Sequence, residues 1–190
     1  MRFVPPIALL AEGTSSFVGD PHASERPMGP LLDGLRQLGA TVTGDALPFT
    51  MTPPATPHGT ANIDASSSSQ FVSGLLLIGA RLPTGLTLRH TGDRLPSRPH
   101  IDMTTSMLRE VGVSVAELDD RTWQVSPGRI AARDLTIEPD LTNAAVFLAA
   151  AAVTGGSVTV PGWPSRSLQP GALILDIVER YDVDGIHIDD

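Results

Sequence analysis

The chain has 190 residues, 41% of them hydrophobic, and a formal net charge of -8 at pH 7. That is length and apolar content for one large or two small domains, and the acidic balance argues against nonspecific binding to nucleic acid. The absence of cysteine excludes disulfides, thiolate metal sites and a cysteine nucleophile.

In chain order, the opening Met1 to Ala11 is basic and then apolar, but Pro5-Pro6 and the lack of a cleavage site argue against an export signal. The run Ile7 to Ala11 predicts a short helix, with Gly13 after it and a strand at Ser15 to Val18. A second helix is expected in Arg26 to Val42, where Leu31, Leu32, Leu35 and Leu38 share one face. Ala46 to Gly59, with Pro48, Pro53, Pro54 and Pro57, reads as an ordered loop or short edge strands. Phe71 to Leu82 predicts an apolar helix, followed by Gly85 and a strand at Leu86 to Leu88. Further on come a helix from Arg98 to about Val113, candidate strands at Thr122 to Val125 and Leu135 to Ile137, a helix at Ala144 to Val153, and a strand at Val158 to Val160 after Gly155-Gly156. No apolar run reaches the roughly 18 residues of a membrane span. Trp123 and Trp163 are expected to be packing residues.

These segments repeat. Arg26-Pro27 at the head of one helix recurs as Arg98-Pro99 and, degraded, as Gln169-Pro170, each about seventy residues after the last. Leu38-Gly39-Ala40 at the end of that helix recurs as Val111-Gly112-Val113. Ahead of each copy stands an apolar run that ends in glycine, a residue suited to a left-handed helix stop, and then a strand. The period is too long for a solenoid and suits an α/β supersecondary module used more than once.

All 13 basic residues are arginine. A GC-rich coding sequence accounts for most of that bias, and its consequence is that anions can be gripped bidentately while lysine proton chemistry is missing. The sharpest local signal is Asp64-Ala65-Ser66-Ser67-Ser68-Ser69-Gln70-Phe71 at the start of an apolar helix. Free N–H groups, the positive dipole end and hydroxyls together suit a phosphate. Serines before a helix also serve as caps or flexible loops; the Gln70 amide adds a directed donor and acceptor. His22, His58, His90, His100 and His187 are scattered without ligand spacing, and no metal site is expected from them.

Ser66 to Gln70, Gly19-Asp20 to Gly29, Leu95-Pro96-Ser97-Arg98-Pro99-His100-Ile101-Asp102-Met103-Thr104 and Ile137-Glu138-Pro139-Asp140-Leu141-Thr142-Asn143-Ala144-Ala145 resemble, in order, the motifs of the EPSP synthase family, from Met1 to about Asp176. The resemblance implies an α/β (α+β) fold of repeated βαβαββ units, the inside-out α/β barrel type of the enolpyruvyl transferases, here partial. Residues 1–138 would be most of a first domain and 139–190 the first unit of a second, with an atypical tail at 178–190. It implies transfer of an enolpyruvyl group from phosphoenolpyruvate to the 5-hydroxyl of shikimate 3-phosphate, without a cofactor, in the cytoplasm. Ser68, Ser69, Gln70 and Ser97 match the family's binders of shikimate 3-phosphate, Gln70 lying toward the enolpyruvyl side. Arg26 matches an arginine that grips phosphoenolpyruvate, and Arg2 matches the arginine that closes the family's Asn-Ala-Gly-Thr-x-x-Arg loop.

The departures matter as much. The Asn-Ala-Gly-Thr motif would sit just ahead of Met1, and the family's catalytic Asp, Glu and Lys of the second domain have no matching positions, so no catalytic residue is assigned. The chain alone is expected to be inactive. The full-length family is monomeric, whereas exposed apolar surface here is expected to promote self-association. A paralogue acting on a nucleotide sugar is the enzyme alternative, although its usual loop cysteine is missing and Asp20 would have to substitute. A non-catalytic phospholigand binder is the other. The ending Arg180 to Asp190 is closer to a strand of a glycoside-hydrolase-like barrel than to the family; Asp182, Asp184, His187, Asp189 and Asp190 read as a solvated acidic terminus, with a metal cluster as the alternative.

Overall fold

The computed structural model describes residues 1–180 and 186–188. The chain forms two compact units, Met1–Ala132 and Arg133–Asp190. The tail carboxylates and the His187 side chain lie outside the described residues.

In the first unit α1 (Val4–Ala8) leads to β1 (Ser15–Phe17), α2 (Pro21–Ser24), α3 (Gly29–Gln37), β2 (Thr41–Thr43) and β3 (Phe49–Thr52). There follow β4 (Thr60–Ile63), α4 (Gln70–Gly79), β5 (Leu86–His90), α5 (Arg98–Glu110), β6 (Val115–Asp119) and β7 (Thr122–Val125). The stretch from β4 to β7 is thus one βαβαββ unit. Its sheet has the order β4-β5-β7-β6, with β4 parallel to β5 and the other pairs antiparallel. The first sheet has the order β1-β3-β2, antiparallel throughout. That is the order β5-β7-β6 again, so the repeat seen in the residues is a repeat of topology.

Local chemistry repeats with it. Gly39 and Gly112 follow α3 and α5 with φ of 101° and 84°. In each case the residue after the glycine donates its N–H back into the helix, Ala40 to the Leu35 carbonyl and Val113 to that of Leu108, both at 3.0 Å. This is the left-handed helix stop that only glycine adopts without cost. Gly13, Gly85 and Gly155, which end the other helical runs, also have positive φ.

Two expectations need correction. Leu135 to Ile137 is no strand, for residues 126–140 carry neither helix nor strand, and Leu135 and Ile137 are exposed and pair with no strand among the described residues. Ala46 to Gly59 supplies β3, the middle strand of its sheet rather than an edge. Its prolines lie outside Phe49–Thr52, whose own N–H groups remain free to pair, and Phe49 and Met51 face the core. The first helix also starts earlier than its apolar run, because Pro5 and Pro6 occupy the opening turn, where a missing N–H costs nothing.

At the centre of the first unit lies α4. Phe71, Val72, Leu75 and Leu76 are fully buried, and the helix is apolar around most of its circumference because α1, α3 and α5 all pack on it. Leu31, Leu32 and Leu35 of α3, with Leu38 directly after it, enter the same core. Trp123 is wholly buried in it, as its packing role requires.

The second unit has α6 (Leu141–Thr154), β8 (Val158–Val160), a 3-10 turn at Pro170–Leu173, α7 (Ile174–Arg180) and β9 (Ile186–Ile188), with β8 parallel to β9. Its small core gathers Leu141, Leu148 and Trp163. Val146, Phe147 and Val153 of α6 stay exposed, at 67%, 63% and 84%. No helix among the described residues is long and apolar enough to cross a membrane.

Truncating Leu35 or Leu75 to alanine is expected to destabilise the first unit by about 2–5 kcal/mol, while Leu118→Ala at an exposed position costs less than about 0.5 kcal/mol. Urea unfolding midpoints read the difference, and equal midpoints for all three variants would contradict this account of the core.

Candidate functional site

The site begins at the N-terminal end of α4. The loop before it is ordered rather than flexible: Asp64 Oδ1 accepts the Ser66 N–H at 2.9 Å, and the Ala65 carbonyl accepts the Ser68 N–H at 3.0 Å. Bonds from the Ser66 hydroxyl and N–H hold the Asp64 carboxyl below its ordinary range. Ser69 precedes α4 in a helical conformation, without a capping bond from its side chain. It is 5% exposed, and its hydroxyl makes no hydrogen bond to another described residue. The expected alternative use of these serines as caps is therefore not the one found at Ser69.

Onto this loop comes Arg2. Its Nη1 donates to Ser68 Oγ at 2.9 Å and to Gln70 Oε1 at 3.1 Å, and its guanidinium lies 4.9 Å from the centre of the Phe71 ring. Stacking on the aromatic face and two directed bonds fix the plane of the guanidinium. Access for the backbone is provided by Gly74, where a Cβ would lie 2.7 Å from the Arg2 carbonyl oxygen. Burial of the guanidinium holds its pKa below the ordinary value, and the like charge of Arg26 adds to the effect. Arg26 itself is exposed and hydrogen-bonds through its side chain to no described residue. Two cations close enough to repel each other, beside two hydroxyls and a helix N-terminus, make a region that attracts an anion.

Ser97 stands at the head of the neighbouring helix α5. The two helices pack together and are linked by a hydrogen bond between the Ser73 and Thr104 hydroxyls at 2.8 Å. Ser97 has φ 51° and ψ 47°, the one non-glycine residue with positive φ among the described residues, and its hydroxyl does not cap the helix. Arg98 holds that helix start in place. It donates to Asp102 Oδ1 at 2.7 Å, to the Asp120 carbonyl at 2.9 Å and to Glu117 Oε2, and it lies over the Trp123 ring at 5.4 Å. The direct contacts thus join Arg2, Ser68 and Gln70, with Arg26 felt through its charge. Ser97 sits on the adjoining helix start, with no hydrogen bond to that group.

A family model for EPSP synthase (3-phosphoshikimate 1-carboxyvinyltransferase) matches residues 1–188. The chain belongs to the EPSP synthase family. It is 52% identical over 190 residues to the 3-phosphoshikimate 1-carboxyvinyltransferase of Mycobacterium ulcerans (strain Agy99), a match that takes in 100% of this chain and 44% of that protein. Among solved structures, an EPSP synthase from Acinetobacter baumannii superposes with a TM-score of 0.72 at 23% identity, over 97% of this chain and 41% of the other. The enolpyruvyl transferase NikO from Streptomyces tendae gives 0.61 at 19% identity, over 94% and 43%. These likenesses support the repeated βαβαββ fold. The chain spans less than half the length of each of these relatives.

Sequence reasoning missed Gly74 and His90. The first looked like any helical glycine. The second was set aside for want of ligand spacing, although the alternation Leu86, Leu88, His90 already put it on the buried face of its strand.

The left-handed conformation of Ser97 costs a side-chain-bearing residue free energy that glycine does not lose. Ser97→Gly is expected to stabilise the chain by about 0.5–1 kcal/mol while removing a hydroxyl from the site. Chemical denaturation reads this, and a variant less stable than the parent would contradict the strain.

Proposed function

We propose that this chain carries the shikimate 3-phosphate half-site of an EPSP synthase, with Ser68, Ser69 and Ser97 holding the phosphate and Gln70 lying toward the enolpyruvyl side. Arg26 grips phosphoenolpyruvate in this reading, and Arg2 is the arginine that closes the family's Asn-Ala-Gly-Thr-x-x-Arg loop beside the substrates. The single observation that carries it is the convergence of Arg2, Ser68 and Gln70 at the start of α4, with the charge of Arg26 beside them. Short hydroxyls and helix N–H groups suit a phosphate that must be held without reacting, and guanidiniums suit a carboxylate or phosphate gripped in a plane.

In the family reaction the 5-hydroxyl of shikimate 3-phosphate loses its proton and adds to C2 of phosphoenolpyruvate as C3 takes a proton, and the tetrahedral adduct then expels phosphate while its C3 methyl gives up a proton, restoring the C2=C3 double bond. Positioning and charge are what these residues supply: the serines fix the shikimate ring by its phosphate, and Arg26 offsets the charge of the second substrate. Proton transfer needs a group with a pKa near neutrality, and arginine cannot serve. By the family resemblance the acid and base are assigned to the Asp, Glu and Lys of the family's second domain, which no residue here matches, and residues 1–138 and 139–190 to the family's first and second domains.

Titration with shikimate 3-phosphate in a calorimeter is expected to show saturable binding that is lost in a Ser68→Ala/Ser69→Ala double variant and not reproduced by inorganic phosphate at the same concentration. No heat from a chain shown to be folded would overturn the assignment. Expression in an aromatic auxotroph is expected to give no growth; colonies supported by this chain alone would contradict its proposed inactivity.

A further inference from the structure

We propose that His90 is a positioning residue for the phosphate half-site, and that its imidazole ties the serine loop to the loop that ends at Ser97. The inference rests on the reading of those serines given above. His90 closes β5 and is 1% exposed. Its Nδ1 accepts the Ala65 N–H at 3.1 Å, and its Nε2 stands 3.1 Å from the Arg94 carbonyl. A carbonyl can only accept and an amide N–H can only donate, so the imidazole is neutral, with its proton on Nε2. Each nitrogen is thus used, one on either side.

Those two partners belong to the two halves of the site. Ala65 opens the turn that carries Ser68 and Ser69, while Arg94 lies three residues ahead of Ser97. One buried ring therefore sets the spacing between the loops on which all three hydroxyls ride. The loops also come close at Gly92, where a Cβ would collide with Asp64 Oδ1 and Ser66 Oγ and fall 2.7 Å from His90 Cε1. A second clamp holds the far side of the same loop. Arg121 donates from Nη1 to the Gly92 carbonyl at 2.7 Å and from Nη2 to the Asp93 carbonyl at 3.1 Å, and its own carbonyl accepts the His90 N–H at 2.8 Å. The groups that hydrogen-bond to the imidazole are backbone groups, which suits a spacer and leaves it no free nitrogen for proton transfer.

The test is the affinity for shikimate 3-phosphate across a series at His90, with thermal unfolding run alongside. Asparagine can keep the acceptor toward Ala65, glutamine can keep the donor toward Arg94, and leucine keeps neither. The expected order is wild type tightest, Asn and Gln intermediate, and Leu weaker by at least about tenfold, since a small displacement of binding groups is enough for such a loss. A folded Leu variant that binds like wild type would overturn the proposal, as would Asn and Gln variants no better than Leu. If Leu does not fold, the Asn and Gln variants decide: affinities equal to wild type count against the proposal and intermediate ones for it. Should the wild-type chain itself not bind, the reading of the serines fails separately. The spacer is then judged from amide signals, where shifts at both Ala65 and Ser97 in the folded Asn or Gln variants support it and a change at neither overturns it.

Discussion

Burial of α4 is the constraint on which the first unit depends. A helix that is apolar on nearly every side cannot lie on a surface, so α1, α3 and α5 must close around it, and the sheets follow from the strands those helices connect. The same burial fixes where the N-terminal turn of α4 points and keeps the serine loop in one conformation. Removing atoms from the core of α4 thus acts on the site as well as on stability.

Around that helix the chain gathers positive charge although its total charge is negative. Arg2 reaches the loop from the opening segment because Gly74 lets its backbone lie against α4, and Arg26 arrives from the turn ahead of α3. Neither is neutralised by a carboxylate at the loop, whereas Arg36 and Arg98 are both occupied with carboxylates and backbone carbonyls. Arginines that are paired hold the fold together. In the proposed reading the other two meet substrate, Arg2 from a position fixed by Ser68, Gln70 and the Phe71 ring.

Much of the fold was legible in the residues. The glycines after each helical run and the leucines of α3 act locally, and local signals survive in a sequence; Arg98-Pro99 does open α5, whereas Arg26-Pro27 lies in the turn ahead of α3. The errors came where tertiary context decides. Leu135 to Ile137 has β propensity but pairs with no strand among the described residues, and Phe49–Thr52 became a central strand because β1, about thirty residues earlier, pairs on one side of it while the nearby β2 pairs on the other. The serine loop was found from composition and helix position, and the roles of Arg2, Arg26 and Ser97 came from family resemblance. His90 was invisible as a contributor because its partners are backbone atoms, which leave no residue type to recognise.

The most direct measurement is a two-dimensional amide NMR titration of the isotopically labelled chain with shikimate 3-phosphate. The account predicts saturable shifts concentrated at Ser68, Ser69, Gln70 and Ser97, with smaller ones at Ala65 and Arg2. Saturable shifts confined to the second unit, or none in a well-dispersed spectrum, would contradict it.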